Sequence, residues 1–295
     1  MLEVNHLEKK IPDSRFRLSD ITFHIPKGYI CGLIGENGSG KTTLMRVLMG
    51  LYNASGEVII DGYNMNEHEA EIKDELGVVF DEGFFENAMN LEQIGIYYGE
   101  LYSHFNMDAY LNNLITFNLD KKMKYGNLSK GMKIKVQLAF AISHEAKLFL
   151  FDEPTAGLDK HFREEFRRIC VELVADGECS ILMSSHITED LDRIADYIAY
   201  IQDGKVLFCL PKEKLCDQFY IVTGEDYKCN LISKEALVYK DKGTYSSSAM
   251  VINRKRFQID DALEKRIPSI REFMYYFVKG GSSNAEIIAE KYLKE

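Results

Sequence analysis

The residues Gly35-Glu36-Asn37-Gly38-Ser39-Gly40-Lys41-Thr42 have the spacing Gly-x4-Gly-Lys-[Ser/Thr] of a loop that wraps phosphates. Its glycines let backbone N–H groups turn inward around phosphate oxygens, and a helix starting at its end adds partial positive charge. Lys41 would bring a point charge to the β- and γ-phosphates of ATP, and Thr42 a hydroxyl to Mg²⁺; Thr43 follows in the same first turn. The second chemical element is Leu148-Phe149-Leu150-Phe151-Asp152-Glu153. An apolar strand ending in two carboxylates is costly unless something cationic waits there. Asp152 suits a Mg²⁺ contact through water, and Glu153 suits a general base that polarises an attacking water. Alone, such a pair reads as a solvated strand end; downstream of a phosphate loop the functional reading wins.

These residues need strands and helices to hold them. Tyr29–Ile34, Leu148–Phe151 and Ser180–Met183 are short continuous apolar runs, the pattern of fully buried parallel strands. The first leads into the phosphate loop, and a helix carrying Leu44, Val47 and Leu48 follows it. Parallel strands joined by helices make a doubly wound α/β domain whose ligands sit at the carboxyl ends of the strands. Ile21, Phe23 and Ile25 alternate with polar neighbours, and the strand Glu57 to Ile60 runs into an Asp61-Gly62 turn. From about Phe85 to Asn127 the alternation breaks into mainly helical sequence, an inserted helical subdomain reckoned at about 85–140.

Past about Leu210 the texture changes, which predicts a nucleotide domain over 1–210 and a small α+β accessory domain over 211–295. Short strands are expected around Leu237–Tyr239 and Met250–Ile252. Ile270, Phe273, Met274, Phe277 and Val278 form a helical stripe, opened after Pro268-Ser269 and stopped by Gly280-Gly281. A final helix is expected to open on a capping box, Ser283 to Glu286, with Ala285, Ile288, Ala289 and Tyr292 on one face. Every recognised motif ends by His186, so a chain stopped after about Leu210 is expected to fold and bind ATP.

Composition removes several function classes. A net charge of -10, with acidic residues spread along the chain, argues against nucleic acid as the main partner. Cys31, Cys170, Cys179, Cys209, Cys216 and Cys229 make no Cys-x-x-Cys pair, and the histidines add no metal-ligand spacing. The first residues lack the layout of a signal peptide, and no apolar run approaches the ~20 residues that span a bilayer. The expectation is a cytoplasmic chain whose transport pathway, if it serves one, belongs to another polypeptide.

Leu128-Ser129-Lys130-Gly131-Met132 resembles the signature motif of ABC ATPases, in the Lys-Gly-Met form of bacterial exporters of drugs and antimicrobial peptides. The phosphate loop, this signature, Asp152-Glu153-Pro154-Thr155, Ala156-Gly157-Leu158-Asp159 and Ser184-Ser185-His186 follow in that family's order, covering about residues 1–210. The resemblance implies a P-loop core with an antiparallel β subdomain, and two such domains sandwiching two ATP molecules head to tail. It assigns Ser129 and Gly131 to the γ-phosphate held by the facing loop, and Asp159 to organising the facing subunit. His186 would hold the γ-phosphate or Glu153.

Partners would be a second ATPase subunit and a transmembrane permease, placing the chain peripherally at the inner face of the membrane. A groove for the permease would draw on Phe84, Phe85, Tyr97 and Tyr98, although core packing suits at least half of them. Two positions depart from the family. Where it usually has a glutamine contacting Mg²⁺, this chain has Asp81, which suits Mg²⁺ through water or a turn equally well. For the aromatic that stacks on adenine, the nearest positions are Ile11 and Phe16. The rival reading is a soluble ABC ATPase that remodels nucleic acid or ribosomes; such proteins usually carry two ATPase domains or a long coiled coil, and this chain shows neither.

Overall fold

The computed structural model describes every residue except Asp13, Gln258, Lys294 and Glu295. The chain opens with β1 (Leu2–Lys10), β2 (Arg17–Ile25), β3 (Ile30–Ile34), α1 (Lys41–Leu48), β4 (Ser55–Ile60), β5 (Tyr63–Asn64), α2 (Glu69–Asp74) and β6 (Leu76–Val79). Helices α3 (Leu91–Gly99), α4 (Met107–Thr116) and α5 (Lys130–Ala141) come next, then β7 (Leu148–Asp152), α6 (Lys160–Val174), β8 (Ser180–Ser184) and α7 (Thr188–Ile194). The strands β9 (Tyr197–Gln202) and β10 (Lys205–Pro211) lead into the C-terminal part. It holds α8 (Lys212–Asp217), β11 (Phe219–Gly224), α9 (Asp226–Cys229), β12 (Leu237–Lys242), β13 (Ser247–Ile252), β14 (Glu264–Arg266), α10 (Ile270–Gly280) and α11 (Ser282–Ile288).

A six-stranded sheet in the order β10-β9-β3-β8-β7-β6 forms the centre, parallel except for β10 at one edge. Its strands are buried on both faces, which is why they read as unbroken apolar runs. In β7, Phe149 and Phe151 enter one core while Leu148 and Leu150 enter the other. The second core lies under a four-stranded antiparallel sheet, β2-β1-β4-β5, and α1. Asp61 and Gly62 both take positive φ, 49° and 88°, the geometry of a two-residue hairpin turn between β4 and β5. All six cysteines are free thiols.

The insertion is helical, as its sequence predicts. Asn90 and Gln93 cap α3 reciprocally, Asn106 caps α4 and Ser129 caps α5. Phe85, Tyr110 and Phe140 lie at its buried centre, with the Phe85–Phe140 ring centroids 5.2 Å apart.

Three C-terminal features differ from the sequence reading. The capping box lies at the start of α10, where Ser269 and Glu272 cap each other. Helix α11 has no side-chain cap. The chain enters it at Gly281, φ 86°, and the Ser282 hydroxyl donates 2.8 Å to the Asp203 carboxylate in the β9–β10 turn. Tyr276 is buried where Met274 and Val278 are only half-buried, because α10 also leans on the C-terminal sheet and Tyr276 shares a 2.8 Å hydroxyl hydrogen bond with Ser248.

The third difference concerns the boundary near Leu210: one apolar core runs across it. Phe273 and Phe277 sit 5.8 and 6.2 Å from Phe208, and Phe277 sits 5.7 Å from Tyr200, in both cases between ring centroids. Both partners belong to β9 and β10, and both are buried. The backbone N–H of Ile270 also donates 2.8 Å to Asp192, next to α7's buried face. A chain cut after Leu210 would open this surface to water. Phe273→Ala is therefore expected to destabilise the protein by about 3–5 kcal/mol. A urea titration followed by fluorescence of a bound nucleotide analogue should show nucleotide binding lost at lower urea than in the unmutated chain. An unmoved midpoint would mean that the two parts unfold independently.

Candidate functional site

The carboxyl ends of β3, β8 and β7, adjacent in the sheet, carry the phosphate loop, Ser184-Ser185-His186 and Asp152-Glu153. Together they border a cavity of about 580 Å³, lined among others by Phe16, Gly38, Lys41, Thr42, Glu153 and His186. Asn37, Gly40 and Thr43 complete the loop's share of the wall.

Glycine is required where the loop leaves and rejoins regular structure. A methyl on Gly35 would come within 2.2 Å of the Ile201 carbonyl oxygen. Gly40 has φ 112°, and a methyl there would meet the Phe16 ring at 2.7 Å. Lys41 is buried, and its Nζ donates to the carbonyls of Gly35 at 2.8 Å and Glu36 at 3.0 Å. Burial pulls its pKa down; the carboxylates of Glu153, Asp152 and Glu36 act in the opposite sense. The Ser39 hydroxyl is buried without a protein partner, and so is that of Thr155. A glycine-lined cradle with a fixed ammonium and an orphaned donor fits a polyphosphate.

Ser184 organises the carboxylates. Its hydroxyl donates 2.5 Å to Asp152 and accepts from the Glu153 backbone N–H at 3.0 Å. Glu153 adopts a left-handed backbone, φ 51°, a conformation that costs a non-glycine residue about 1–3 kcal/mol. The carboxylate of Glu153 accepts from the His186 backbone N–H at 3.1 Å and from its Nδ1 at 2.5 Å. The imidazole therefore orients the candidate base. Behind it, the fully buried Asp190 of α7 pairs with Arg163, at 3.0 Å, and with Arg167 of α6, tying the elements after Asp159 and His186 together.

Thr42 and Asp152 border an adjoining groove with Glu153 and Asp81. Their hydroxyl and carboxylate oxygens suit Mg²⁺, which holds on to water and takes few protein ligands. Among the described residues no group of three or more His, Cys, Asp or Glu could hold a metal on its own, so such an ion would share the phosphates' oxygens.

Ser129 and Asp159 act as helix caps: Ser129 Oγ accepts from Met132 N–H at 3.3 Å, and Asp159 from Phe162 N–H at 2.9 Å. The Phe162 N–H lowers the pKa of Asp159. Gly131 lies against the Gly157 turn of its own chain, where an added methyl would be 3.2 Å from the Gly157 carbonyl oxygen. Asp81 borders the cavity, paired with Lys130. Phe16, and not Ile11, lines the cavity. The sequence places Ser184 in the Ser184-Ser185-His186 run without marking its bridge to the carboxylates, and nothing local marks Gln137.

A family profile described as ABC transporter matches residues 18–156. The chain is 34% identical over 206 residues to the ABC transporter ATP-binding protein NatA of Bacillus subtilis, covering 64% of this chain and 79% of that one. It is 31% identical over 210 residues to the lantibiotic transport ATP-binding protein SrtF of Streptococcus pyogenes, covering 70% and 89%. A solved structure described as the ATP-binding subunit of an ABC transporter is 26% identical and matches with a TM-score of 0.67, covering 73% of this chain and 91% of that one. By sequence and by fold, the chain belongs to the ATP-binding subunits of ABC transporters, ATPases that pair with one another and serve transmembrane permeases.

Proposed function

We propose that this subunit hydrolyses Mg²⁺-ATP between two facing copies, or between itself and a related subunit, and powers export of a peptide or drug through a separate permease. The observation that carries the chemistry is the Glu153–His186 pair at the edge of the cavity that Lys41 enters. Lys41, the loop N–H groups and Ser39 would hold the phosphates, with Thr42 and Asp152 on Mg²⁺. Bound Mg²⁺ supplies charge neutralisation at the phosphates. Glu153 then takes a proton from water, and His186 holds its carboxylate in place. Ser129 and Gly131 would face the partner's phosphates, and Asp159 its neighbouring turn.

The permease has a surface to meet. Phe84 and Tyr97 are exposed, while Phe85 is core and Tyr98 half-buried. Phe84 borders, with Leu51 and Tyr52, the groove of about 610 Å³ that leads to Asp81 and Glu153. No helix among the described residues is long and apolar enough to cross a membrane. Attachment to the inner membrane face would therefore run through this groove. The lantibiotic transport role of SrtF supports a peptide as cargo. Affinity purification from detergent-solubilised membranes tests the reading: a multi-spanning protein should co-purify and raise ATP turnover. Recovery with ribosomes or nucleic acid, and without a membrane partner, would overturn it.

A further inference from the structure

Helix α5 grips the segment after β6 at two places. The fully buried Gln137 side chain donates from Nε2 to the Phe80 carbonyl at 3.1 Å and accepts from the Phe80 N–H at 2.9 Å. Lys130, seven residues earlier and so on the same face of the helix, forms an ion pair with Asp81, the next residue along that segment. The two grips differ in kind. Gln137 is sealed from water, whereas the side chains of Lys130 and Asp81 are 50% and 40% exposed, and the paired oxygen, Asp81 Oδ1, is buried without a hydrogen bond of its own and so open to another cation. The first fixes position; the second can exchange.

Lys130 and Asp81 both line the nucleotide cavity, and Asp81 also borders the groove with Thr42 and Asp152. A glutamine at position 81 would need no cation. An aspartate beside Asp152 and Glu153 concentrates carboxylates where a polyanion is to bind, and the Lys130 ammonium offsets one of them. The start of α5 is also seated on the Gly157 turn of its own chain. The Lys130–Asp81 pair adds a second tie, holding the signature segment to the cavity of its own chain for as long as the pair is made.

We propose that the Lys130–Asp81 pair is an exchangeable latch: Lys130 holds Asp81 and ties the signature segment to its own cavity until the cation that accompanies the nucleotide takes over the carboxylate. The proposal rests on the Mg²⁺-nucleotide reading above. Lys130 is a positioning residue in it, acting through Asp81. A half-exposed ion pair contributes little, so a divalent cation can displace it. The same weakness bounds the effect of removing it to about fivefold in an equilibrium constant.

Mn²⁺ binding to the full chain at saturating ADP, read by electron paramagnetic resonance, tests the exchange. Lys130→Met should tighten Mn²⁺ binding about three- to fivefold, because Asp81 no longer has a competing cation. Asp81→Asn should weaken it, and in the Asp81→Asn background Lys130→Met should change nothing. Lys130→Arg, which keeps the pair, should behave like the unmutated chain. Without nucleotide, amide hydrogen exchange over 129–133 should quicken in either single variant and slow again in the reversed pair Asp81→Lys/Lys130→Asp. An equal gain from Lys130→Met in both backgrounds would reduce Lys130 to a distant charge and overturn the latch, as would unchanged exchange over 129–133. Failure of the unmutated chain to bind Mn²⁺-ADP at all is a separate result, which would defeat the nucleotide reading itself and the latch with it.

Discussion

Glu153→Gln is expected to bring ATP turnover down about 10²–10⁴-fold while leaving ATP binding nearly intact. A general base of this kind contributes about 3–5.5 kcal/mol to the barrier, and an amide cannot accept the water's proton. The structure explains why so little else should change. One oxygen of Glu153 accepts both the His186 N–H and its Nδ1, and a glutamine carbonyl can do the same. The left-handed backbone at position 153 is no harder for glutamine than for glutamate. Lys41, Thr42 and Asp152 are untouched. With hydrolysis stopped and a negative charge removed near each γ-phosphate, two intact ATP molecules should hold two subunits together. Size-exclusion chromatography with and without Mg²⁺-ATP, beside a phosphate-release assay, decides. Normal turnover would remove Glu153 from the chemistry, and slow turnover without dimerisation would point to a related partner in place of a second copy.

What could be read from the residues alone follows how local each constraint is. The phosphate loop is legible because its glycines and Lys41-Thr42 stand in fixed spacing within eight consecutive residues, although the contacts that bar a methyl at Gly35 and Gly40 come from the distant Ile201 and Phe16. The buried strands are equally legible, since β7 feeds two cores and must be apolar at every position up to Asp152. The helices α3 to α5 and the strands β12 and β13 overlap the segments expected of them, and both strands run longer than expected. The misplaced capping box shows the limit. Ser269-x-x-Glu272 and Ser283-x-x-Glu286 have the same spacing, and only the first precedes a helix whose entry leaves the serine free to cap. Ser283 lies inside the first turn of α11, which already begins at Ser282, and the Ser282 hydroxyl is committed to Asp203, 79 residues away. The shared core of Phe208 and Phe273, the Ser184 bridge and the Lys130–Asp81 pair depend likewise on residues far apart in the chain. Periodicity reports a face to be buried; it does not say against what.

Lys41→Ala should weaken ATP binding by at least about a hundredfold, the counterpart on the binding side of the effect at Glu153. The ammonium is already desolvated, since Lys41 is buried, and two of its three donors are spent on the Gly35 and Glu36 carbonyls that frame the loop. Phosphate oxygens would therefore meet a cation that has largely lost its hydration shell before binding begins, and that attracts them more strongly than a solvated one. A hydrogen bond from the one remaining donor to a charged phosphate contributes about 1.5–3 kcal/mol, and the lost attraction between full charges adds to it, so together they reach the roughly 2.7 kcal/mol that a hundredfold represents. Alanine also removes the crosslink between the two loop carbonyls, whereas Lys41→Met keeps the stem and removes only the charge. Both variants should fail to bind a fluorescent ATP analogue under conditions that saturate the unmutated chain, with thermal unfolding confirming that each is folded. If Lys41→Met bound normally while Lys41→Ala did not, the stem and not the charge would be the contribution of Lys41. Near-normal affinity in both would remove the loop from the nucleotide site.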